Sequence, residues 1–539
     1  MLFCTCALAL TGSVFLPTAT GAHHGVHARD YPVPRSPKRN RIRSNVHGQY
    51  HPDPQRVLAA RAEAPPLEIR ALSQSGDPAN RVDMIFFADG YTEEEKDKFF
   101  DDAAWLSEDI TANVTFDTVK PLLNFWAAFT ASNDSGIGTN GTQLDTVYGL
   151  YRDGTELRGV YIGKEDVARA ACDSLGNQCD HPVIIGNSDL YGGIGGDVVT
   201  ITPSKANGAS ILRHESGHNI IQIGEEYDGI EDGGYFGRNT LLSLDDPIPW
   251  EPWLTEPTSN GTGPRVERAV MPLQNYAWTL LNTTTPFSQS FTSDGTFAWW
   301  LARFSLSGLP SASDVLVEVD GQDLGWQPHE GIGLDRYFYD IVNRDTPPKE
   351  GEHEVRFTLR NASLEGQAQL CSVEILEFGS EDEFHSEPGY YGLFPSYTDT
   401  NHTAYRPTND DCVMRQVTTP NYCNVCLEGM WNNLLSEISL IDNVTESCSG
   451  STKTLTASLV PLAYLRTEPV SAEESLTIAW TKDGVAVADA NNQTSVSLVG
   501  TEAVGVYTVS VEYATSEVRT RDKEEYFRAN MTHEVKEGC

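Results

Sequence analysis

The spacing of apolar residues predicts a layered α/β fold in the first half of the chain. Residues 81–88 (RVDMIFFA) form a short, nearly continuous apolar run, which is typical of a buried strand. Thr92 and the three glutamates after it predict the start of a helix over residues 96–110, because threonine caps a first turn and acidic residues suit its dipole. Three further strands are predicted at residues 125–129, 181–186 and 197–201.

A glycine-rich turn and a second helix complete this part of the pattern. The turn spans residues 191–196 (YGGIGG), and helix propensity resumes at about Gly208. We expect the helix to end near Gly224, because glycine is common at helix C-termini. The alternation of strands and helices predicts a mixed sheet with helices packed against it.

The pattern becomes mainly β after these elements. Over residues 275–378, short apolar runs split by Gly, Asp and Pro turns predict a β-sandwich inserted into the α/β unit. After a helical run, the tail from about Cys448 is again all β. Trp480 and Tyr507 lie in two of its predicted strands, as in an immunoglobulin-type sandwich, although the cysteines do not follow the spacing of that fold.

The first 66 residues carry signals of export and processing. Residues 2–22 are apolar and end in small residues, which predicts a secretory signal peptide cleaved near Ala22, although no Lys or Arg precedes the apolar run. Residues 23–66 are polar, contain proline and are locally basic. We interpret them as a disordered pro-segment that docks on an acidic body or as a flexible linker, and the sequence leaves both open.

The chain as a whole is strongly acidic. In 539 residues, 76 Asp and Glu oppose 38 Lys and Arg, which gives a formal net charge of −38. Such a surface repels phosphates, which argues against a nucleic-acid partner, and its field favours binding of a divalent cation. No apolar run of about 18 residues follows the N-terminal stretch, so we expect no membrane span.

Glycosylation sequons also favour export. Each is an N-x-S/T triplet, the acceptor of N-linked glycans, and such sites lie on the surface of secreted proteins. The sequence contains ten: Asn113, Asn133, Asn140, Asn260, Asn282, Asn361, Asn401, Asn443, Asn492 and Asn530. Their number, in a chain with few lysines, predicts a glycosylated secreted protein.

The cysteines predict disulfides. After removal of the signal peptide an even number remains: Cys172, Cys179, Cys371, Cys412, Cys423, Cys426, Cys448 and Cys539. Cys172 and Cys179 flank a short loop and are predicted to pair. Cys423 and Cys426 form a C-x-x-C motif, which is compatible with a zinc knuckle or a redox pair. With no second C-x-x-C and an oxidising destination, we favour structural disulfides there.

The residues from His214 to His218 (HESGH) carry the strongest chemical signal. On a helix, positions i and i+4 share one face, so both imidazoles can bind one zinc ion. Glu215 then lies beside the open position of the ion. There it can act as the general base that takes a proton from metal-activated water. The motif therefore predicts a zinc-dependent hydrolase.

A catalytic zinc needs a third protein ligand from outside this helical face. Glu225 and Glu226 follow Gly224 at once, and the sequence does not decide between them. Tyr227 is a candidate donor to the oxyanion, although a tyrosine that packs the loop is the simpler interpretation. Four isolated histidines are weaker candidate ligands, because a lone histidine is more often structural or exposed: His181, His329, His385 and His402.

The segments around the motif resemble those of the M64 metallopeptidases, the family named after a bacterial IgA protease. The third histidine of metzincins and the downstream glutamate motif of thermolysin-type enzymes are both absent. The similar segments are residues 82–92, 132–136, 187–196, 214–218, 224–227, 405–415 and 423–426. Family members carry Asp-Glu-Tyr where this chain has Glu225-Glu226-Tyr227, and the change keeps an acid. Met414, in the last part, is interpreted as a core methionine, with a turn beneath the metal site as the alternative.

The resemblance covers roughly residues 80–274 and 379–435, and it implies a secreted zinc endopeptidase without implying that IgA is the substrate. We expect a zincin-like α/β catalytic domain with a mixed sheet, an inserted β-sandwich and a C-terminal immunoglobulin-like β-sandwich. The predicted boundaries are 1–22 for the signal peptide, 23–66 for the pro-segment or linker, 67–274 plus 379–445 for the metallopeptidase domain, 275–378 for the insert and 446–539 for the C-terminal domain.

The leading hypothesis is a secreted zinc endopeptidase that acts on protein or peptide substrates. One alternative is a non-catalytic secreted glycoprotein that binds glycans or proteins through its β modules and keeps a vestigial metal site. The intact Glu215 argues against it, because a dead site does not need its general base. A metal-dependent amidase with non-peptide substrates is a further alternative that the sequence leaves open.

Overall fold

The computed structural model describes residues 62–539 apart from 113–114, 155, 228–234, 257–263, 398–402, 468–472 and 521–524. The predicted signal peptide, most of the predicted pro-segment, three sequons and one candidate ligand lie outside the described residues; the last four are Asn113, Asn260, Asn401 and His402. In the described part of the chain, no helix is long and apolar enough to span a membrane.

A six-stranded mixed sheet forms the centre of the first unit. Its elements and their neighbours, in chain order, are β1 (Glu68–Gln74), β2 (Val82–Asp89), α1 (Lys96–Ile110), β3 (Leu123–Phe129), β4 (Tyr151–Asp153), β5 (Glu156–Tyr161), α2 (Glu165–Leu175), β6 (His181–Gly186), β7 (Gly193–Ile194), β8 (Val199–Ile201) and α3 (Gly208–Ser216). The strand order is β1-β3-β2-β6-β8-β7, while β4 and β5 pair with each other. The four central strands are parallel, and β1 and β7 are antiparallel edges. The predicted mixed α/β architecture is confirmed.

The sheet is covered on both faces. Every residue of β2 and β3 is buried, as the continuous apolar run of β2 predicts for a parallel strand between two helical layers. Met84 and Phe86 point into the cluster that also holds the apolar residues of α1 and α3. Ile85 and Phe87 point to the other face, where α2 packs. The helix that carries the histidines therefore lies directly against the sheet.

Two element boundaries differ from the prediction. The helix expected to run to about Gly224 is α-helical only over Gly208–Ser216, and a π-helical turn, Gly217–Ile221, follows. It ends at Gln222, whose left-handed φ of 60° turns the chain while its N–H donates to the Gly217 carbonyl. The strand expected from residue 197 begins at Val199, two residues after Asp197, whose side chain forms an ion pair with Arg169 on α2.

Two antiparallel sheets pack face to face in the middle of the chain. Their strands are β9 (Ala269–Asn275), β10 (Thr279–Leu280), β11 (Phe287–Ser293), β12 (Trp299–Ser307), β13 (Val315–Val319), β14 (Gln322–Asp323), β15 (Tyr337–Asn343), β16 (Gly351–Leu359) and β17 (Gln369–Phe378). One sheet has the order β10-β17-β12-β15 with β9 also on β17, and the other has the order β11-β16-β13-β14. Residues of both sheets, including Phe304 and Val355, share one apolar cluster. The first strand, β9, begins before the boundary predicted at residue 275.

The chain then returns to the α/β unit. A hairpin of β18 (Phe394–Tyr397) and β19 (Thr403–Arg406) precedes α4 (Asn424–Glu437). Tyr405 in β19 pairs through its backbone with Leu241. Asn433 on α4 donates to the Ile220 carbonyl at the end of the π-helical turn, so α4 packs beside the histidine helix.

The last seven strands of the described residues form two sheets. They are β20 (Ile441–Ser449), β21 (Thr452–Leu459), β22 (Glu474–Lys482), β23 (Val485–Ala486), β24 (Ser495–Val499), β25 (Gly505–Thr515) and β26 (Arg528–Val535). The orders are β20-β21-β24 and β23-β22-β25-β26. Trp480 and Tyr507 are buried, and the Tyr507 hydroxyl donates to the Ala503 carbonyl over 3.0 Å. The apolar core of these strands is continuous with that of the α/β unit, with the Trp431 ring 5.2 Å from that of Tyr513.

Two disulfides join described cysteines. Cys172–Cys179 confirms the predicted short loop, and Cys448–Cys539 links the first strand of the C-terminal sheets to the last residue. The prediction of a structural disulfide at Cys423 and Cys426 is wrong. Cys423 caps α4 and Cys426 lies in its first turn, where their sulfurs stand 3.6 Å apart without a bond.

Removing the Cys448–Cys539 disulfide is expected to destabilise the C-terminal sheets. The bond closes a loop with a sequence separation of 91 residues, so the double variant Cys448→Ser/Cys539→Ser loses about 4.5 kcal/mol by loop entropy. Cys172→Ser/Cys179→Ser, with a separation of 7, is the matched control and loses about 2.5 kcal/mol. Denaturant unfolding of both variants measures the difference. Equal losses would show that loop length does not set the effect.

Candidate active site

The predicted pair of imidazoles faces one point. His214 lies in the last turn of α3 and His218 in the π-helical turn after it, and their Nε2 atoms are 3.3 Å apart. His214 is buried, and His218 is partly exposed. The i, i+4 spacing thus has the consequence predicted from the sequence, although the helix is α-helical only as far as Ser216.

Backbone carbonyls fix the orientation of both imidazoles. His214 Nδ1 lies 3.0 Å from the Val413 carbonyl oxygen, and His218 Nδ1 lies 2.8 Å from that of Ile223. A carbonyl only accepts, so Nδ1 carries the proton in each neutral ring, which leaves the two Nε2 lone pairs free to face a metal ion. This is the tautomer that a metal-binding histidine needs. No sequence pattern indicates either carbonyl, because a backbone oxygen belongs to every residue.

Glu225 completes a three-residue cluster. Its Oε1 is 3.1 Å from His218 Nε2 and its Oε2 is 3.2 Å from His214 Nε2. These separations are close to the edge of about 3.3 Å of a tetrahedron of ligands around zinc. A proton on His218 Nε2 and a metal ion would compete for the same place between the imidazoles and the carboxylate. A cation satisfies all three groups at once, and two imidazoles with a carboxylate are a donor set that zinc takes.

The charges of the cluster reinforce one another. Burial lowers the pKa of both imidazoles, but the Glu225 carboxylate outweighs it, raising the pKa of His218 to about 9 and that of His214 above its usual value. Burial raises the pKa of Glu225, but the two imidazoles outweigh this and lower it. The carboxylate is therefore ionised at neutral pH, ready for a cation.

Glu226, the other candidate ligand, lies elsewhere. Its side chain is fully buried, and its Oε1 accepts a hydrogen bond of 2.9 Å from Asn239. Burial raises the pKa of Glu226 to about 8. Its carboxylate shares a group of potential metal ligands with three cysteines, Cys412, Cys423 and Cys426. The structure thus brings Glu225, and not Glu226, to the histidines.

Glu215 lies against the glycine-rich turn. A β-carbon added at Gly195 would stand 2.4 Å from Glu215 Oε2 and 3.5 Å from His218 Cδ2. Only glycine leaves room for the carboxylate at this place. The sequence revealed the turn but not this role for one of its residues.

We expect Gly195→Ala to impair the chemistry of Glu215 without unfolding the protein. The new methyl group must displace the Glu215 carboxylate, and a shift of about 1 Å in a catalytic group can lower a rate about 100-fold. Casein cleavage should fall by roughly 10- to 100-fold while zinc content and the melting temperature stay unchanged. Unchanged cleavage would mean that the position of Glu215 does not matter.

Met414 packs beneath the motif. It is fully buried, and a β-carbon at Gly217 would lie 2.4 Å from its sulfur. Its backbone oxygen accepts from the Glu226 N–H over 3.1 Å. Met414 is thus a core methionine, as interpreted, and it also supports the helix that carries the histidines.

The three isolated histidines among the described residues lie outside the cluster formed by His214, His218 and Glu225. His181 contacts Asn219 through Nδ1, the His329 ring packs 4.3 Å from Tyr337, and the His385 ring stacks 3.9 Å from that of Tyr390. The Tyr227 ring centroid is 6.0 Å from that of His214, so this tyrosine stays near the site.

Three other segments that carried the family resemblance meet in space. Gly90, at the end of β2, accepts from the Gly136 N–H and from the Asn187 side chain, each over 2.9 Å. A β-carbon at Gly90 would stand 1.9 Å from the Gly136 carbonyl oxygen, and φ at Gly90 is +74°. These residues form a scaffold for the loops that follow the sheet.

Residues 70–265, which supply the cluster and Glu215, match the family model described as IgA Peptidase M64. This match confirms the resemblance to the M64 metallopeptidases found in the sequence, and it supports a peptidase for this part of the chain. No protein of curated function matches the chain.

Solved structures offer only distant similarity. A GH2 β-galacturonidase from Eisenbergiella tayi bound to galacturonate is 10% identical over 46% of this chain and 34% of its own, with a TM-score of 0.12. A β-glucuronidase from Ruminococcus gnavus in complex with D-glucuronic acid is 9% identical over 46% and 36%, with a TM-score of 0.11. The chain thus spans about a third of the length of these proteins, and TM-scores this low carry no argument about function.

Proposed function

We propose that this protein is a secreted, zinc-dependent endopeptidase. His214, His218 and Glu225 hold the metal, and Glu215 is the general base. One observation carries the proposal: the Glu225 carboxylate bridges the two Nε2 atoms at 3.1 and 3.2 Å, in a segment that matches a peptidase family. The same match favours an enzyme over the alternative of a binding glycoprotein.

His214, His218 and Glu225 would hold the zinc, which would supply the Lewis acidity that polarises a scissile carbonyl and lowers the pKa of water. Glu215 follows His214 on the helix, takes the proton from the attacking water and passes it to the leaving amine. The Val413 and Ile223 carbonyls keep the two imidazoles in the ligating tautomer throughout. Tyr227, beside His214, is the candidate donor to the oxyanion.

The proposed fold assignments follow from the arrangement of elements. The helix that carries the motif packs against a mixed sheet, which supports a zincin-like catalytic domain. In the C-terminal region, sheets of three and four strands enclose Trp480 and Tyr507. The hydroxyl of Tyr507 bonds to a backbone carbonyl four residues earlier, as in the tyrosine corner of immunoglobulin-like domains. We propose the domain boundaries as predicted from the sequence, except that the insert begins with β9 at Ala269.

We also propose that the protein is exported and glycosylated. The apolar N-terminal stretch, the sequons and the two disulfides support this, because disulfides persist in oxidising compartments. A shift in gel mobility after endoglycosidase treatment of the protein secreted by a eukaryotic host tests it. Retention of the chain inside the cell without glycans would contradict it.

Mass spectrometry of casein fragments tests the endopeptidase class. An enzyme of this class cleaves internal bonds, so fragments with two new ends are expected early in the digestion. Release of single terminal residues would indicate an exopeptidase. Intact casein with turnover of small amides would favour the amidase alternative.

A further inference from the structure

A second group of metal-ligating side chains lies outside the proposed active site. Glu226, Cys412, Cys423 and Cys426 are all buried, and one ligand atom from each lies within 4.8 Å of the others. Cys426 Sγ is 3.6 Å from the sulfurs of Cys412 and Cys423 and 4.0 Å from Glu226 Oε1. We call these four residues the thiol cluster.

The thiol cluster lacks the partners that buried polar groups require. Glu226 is 0% exposed, and among the described residues its Oε2 has no hydrogen-bond partner. A buried carboxylate oxygen without a partner is destabilising, and a bound ion is one of the explanations for such an atom in a native protein. The unpartnered Oε2 belongs to the same carboxylate as Oε1, which lies 4.0 Å from Cys426 Sγ.

The spacing of the donors fits a tetrahedral ion. With zinc–sulfur bonds of about 2.3 Å, two thiolates on one zinc stand about 3.8 Å apart, close to the observed separations of 3.6 Å. A carboxylate oxygen on the same ion stands about 3.5 Å from each sulfur, and the observed distance is 4.0 Å. Four protein donors without an open position are typical of a structural zinc site.

We propose that Cys412, Cys423, Cys426 and Glu226 bind a structural zinc ion. The site is separate from the one formed by the histidines, and it does not depend on the proposed function.

The surroundings compensate the charge of such a site. Three thiolates and a carboxylate exceed the two positive charges of zinc, and the buried guanidinium groups of Arg406 and Arg415 both act on Glu226. Cys423 is the N-cap residue of α4. A helix N-terminus stabilises a thiolate in the same way that it stabilises other anions.

A disulfide accounts for the cluster less well. One disulfide uses two of the three sulfurs, and it leaves the third thiol unbonded and Glu226 Oε2 still without a partner among the described residues. Cys426 is equally close to Cys412 and Cys423, which is the arrangement of ligands around a shared ion and not that of one bonded pair. All three remain unbonded in the structure, whereas two other cysteine pairs form disulfides.

A metal in the thiol cluster would also hold the active site together. This role, unlike the site itself, rests on the proposed function. Glu226 follows Glu225 directly, and its N–H donates to the Met414 carbonyl. Cys412 precedes Val413, whose carbonyl orients His214. Binding of zinc therefore clamps the loop that supplies Glu225 to the segment that orients His214.

The experiment uses the full chain and the variant His214→Ala/His218→Ala, which removes the proposed active-site ligands. The proposal predicts that this variant keeps about one zinc per chain and shows zinc–sulfur distances of about 2.3 Å by X-ray absorption. Cobalt in its place should give a thiolate-to-metal charge-transfer band. Cys423→Ser/Cys426→Ser should lose the band, and the control Cys371→Ser, a buried cysteine on β17 outside the cluster, should keep it.

A disulfide between any two of the three cysteines, found by mass spectrometry in the His214→Ala/His218→Ala variant together with no bound zinc, would overturn the proposal. If the cysteine variants fail to fold, the zinc content and the disulfide state of His214→Ala/His218→Ala still decide whether the thiol cluster binds zinc. None of these readouts uses peptidase activity, so the thiol cluster and the proposed function can fail separately.

Discussion

Glu215→Gln is expected to lower kcat/KM for casein cleavage by about 100- to 10,000-fold while the zinc content stays unchanged. Glutamine has nearly the same shape as glutamate but cannot take a proton from the attacking water. Because Glu215 is not one of the three residues that face the metal position, its loss leaves the cluster of His214, His218 and Glu225 intact. The variant should therefore lose its activity while it keeps its bound zinc.

The control for this variant is Glu94→Gln, an exposed glutamate at the start of the first helical region. It removes the same charge far from the histidine motif in sequence and should keep full activity. Zinc and casein cleavage are measured on the same preparations. Full activity in Glu215→Gln would rule out its role as the general base, and loss of zinc from it would show that it is a ligand instead.

Removal of Glu225 should differ from Glu215→Gln, because it should release the metal itself. Glu225→Ala deletes the carboxylate that lies 3.1 and 3.2 Å from the two imidazoles. Loss of a residue that merely supports a ligand costs about 10- to 100-fold in metal affinity, so loss of a ligand should cost more than about 100-fold. We expect this variant to lack the zinc that a mild chelator can remove. Casein cleavage should be lost together with that zinc.

Glu225→Asp is the matched control, because it keeps a carboxylate and because the resembling family carries aspartate at this place. It should retain zinc and part of the activity. Glu226→Ala should likewise retain the chelator-removable zinc, because Glu226 faces the thiol cluster. If Glu225→Ala keeps that zinc, Glu225 is not the third ligand.

The sequence predicted the parts of this fold that depend on local periodicity. The apolar run of β2 and the i, i+4 histidines have structural consequences that follow from strand and helix geometry alone. The choice between Glu225 and Glu226 as the third ligand does not follow from local geometry. It depends on the left-handed turn at Gln222 and on Asn239, which binds Glu226 from a later part of the chain.

The error at the C-x-x-C motif has a similar cause. Cys423 and Cys426 alone suggest a disulfide, but the structure brings Cys412 and Glu226 to the same point from two distant segments. Such convergence is a property of tertiary packing and is invisible to spacing within one motif. The Val413 carbonyl, which orients His214, was missed for the same reason.

The central claim is tested most directly by removing and restoring the metal. The full chain is dialysed against a chelator, and casein cleavage is followed while zinc is added back. The account predicts that the dialysed protein is inactive and that about one equivalent of zinc at the site of His214, His218 and Glu225 restores cleavage. Undiminished cleavage by protein shown to contain no zinc would contradict it.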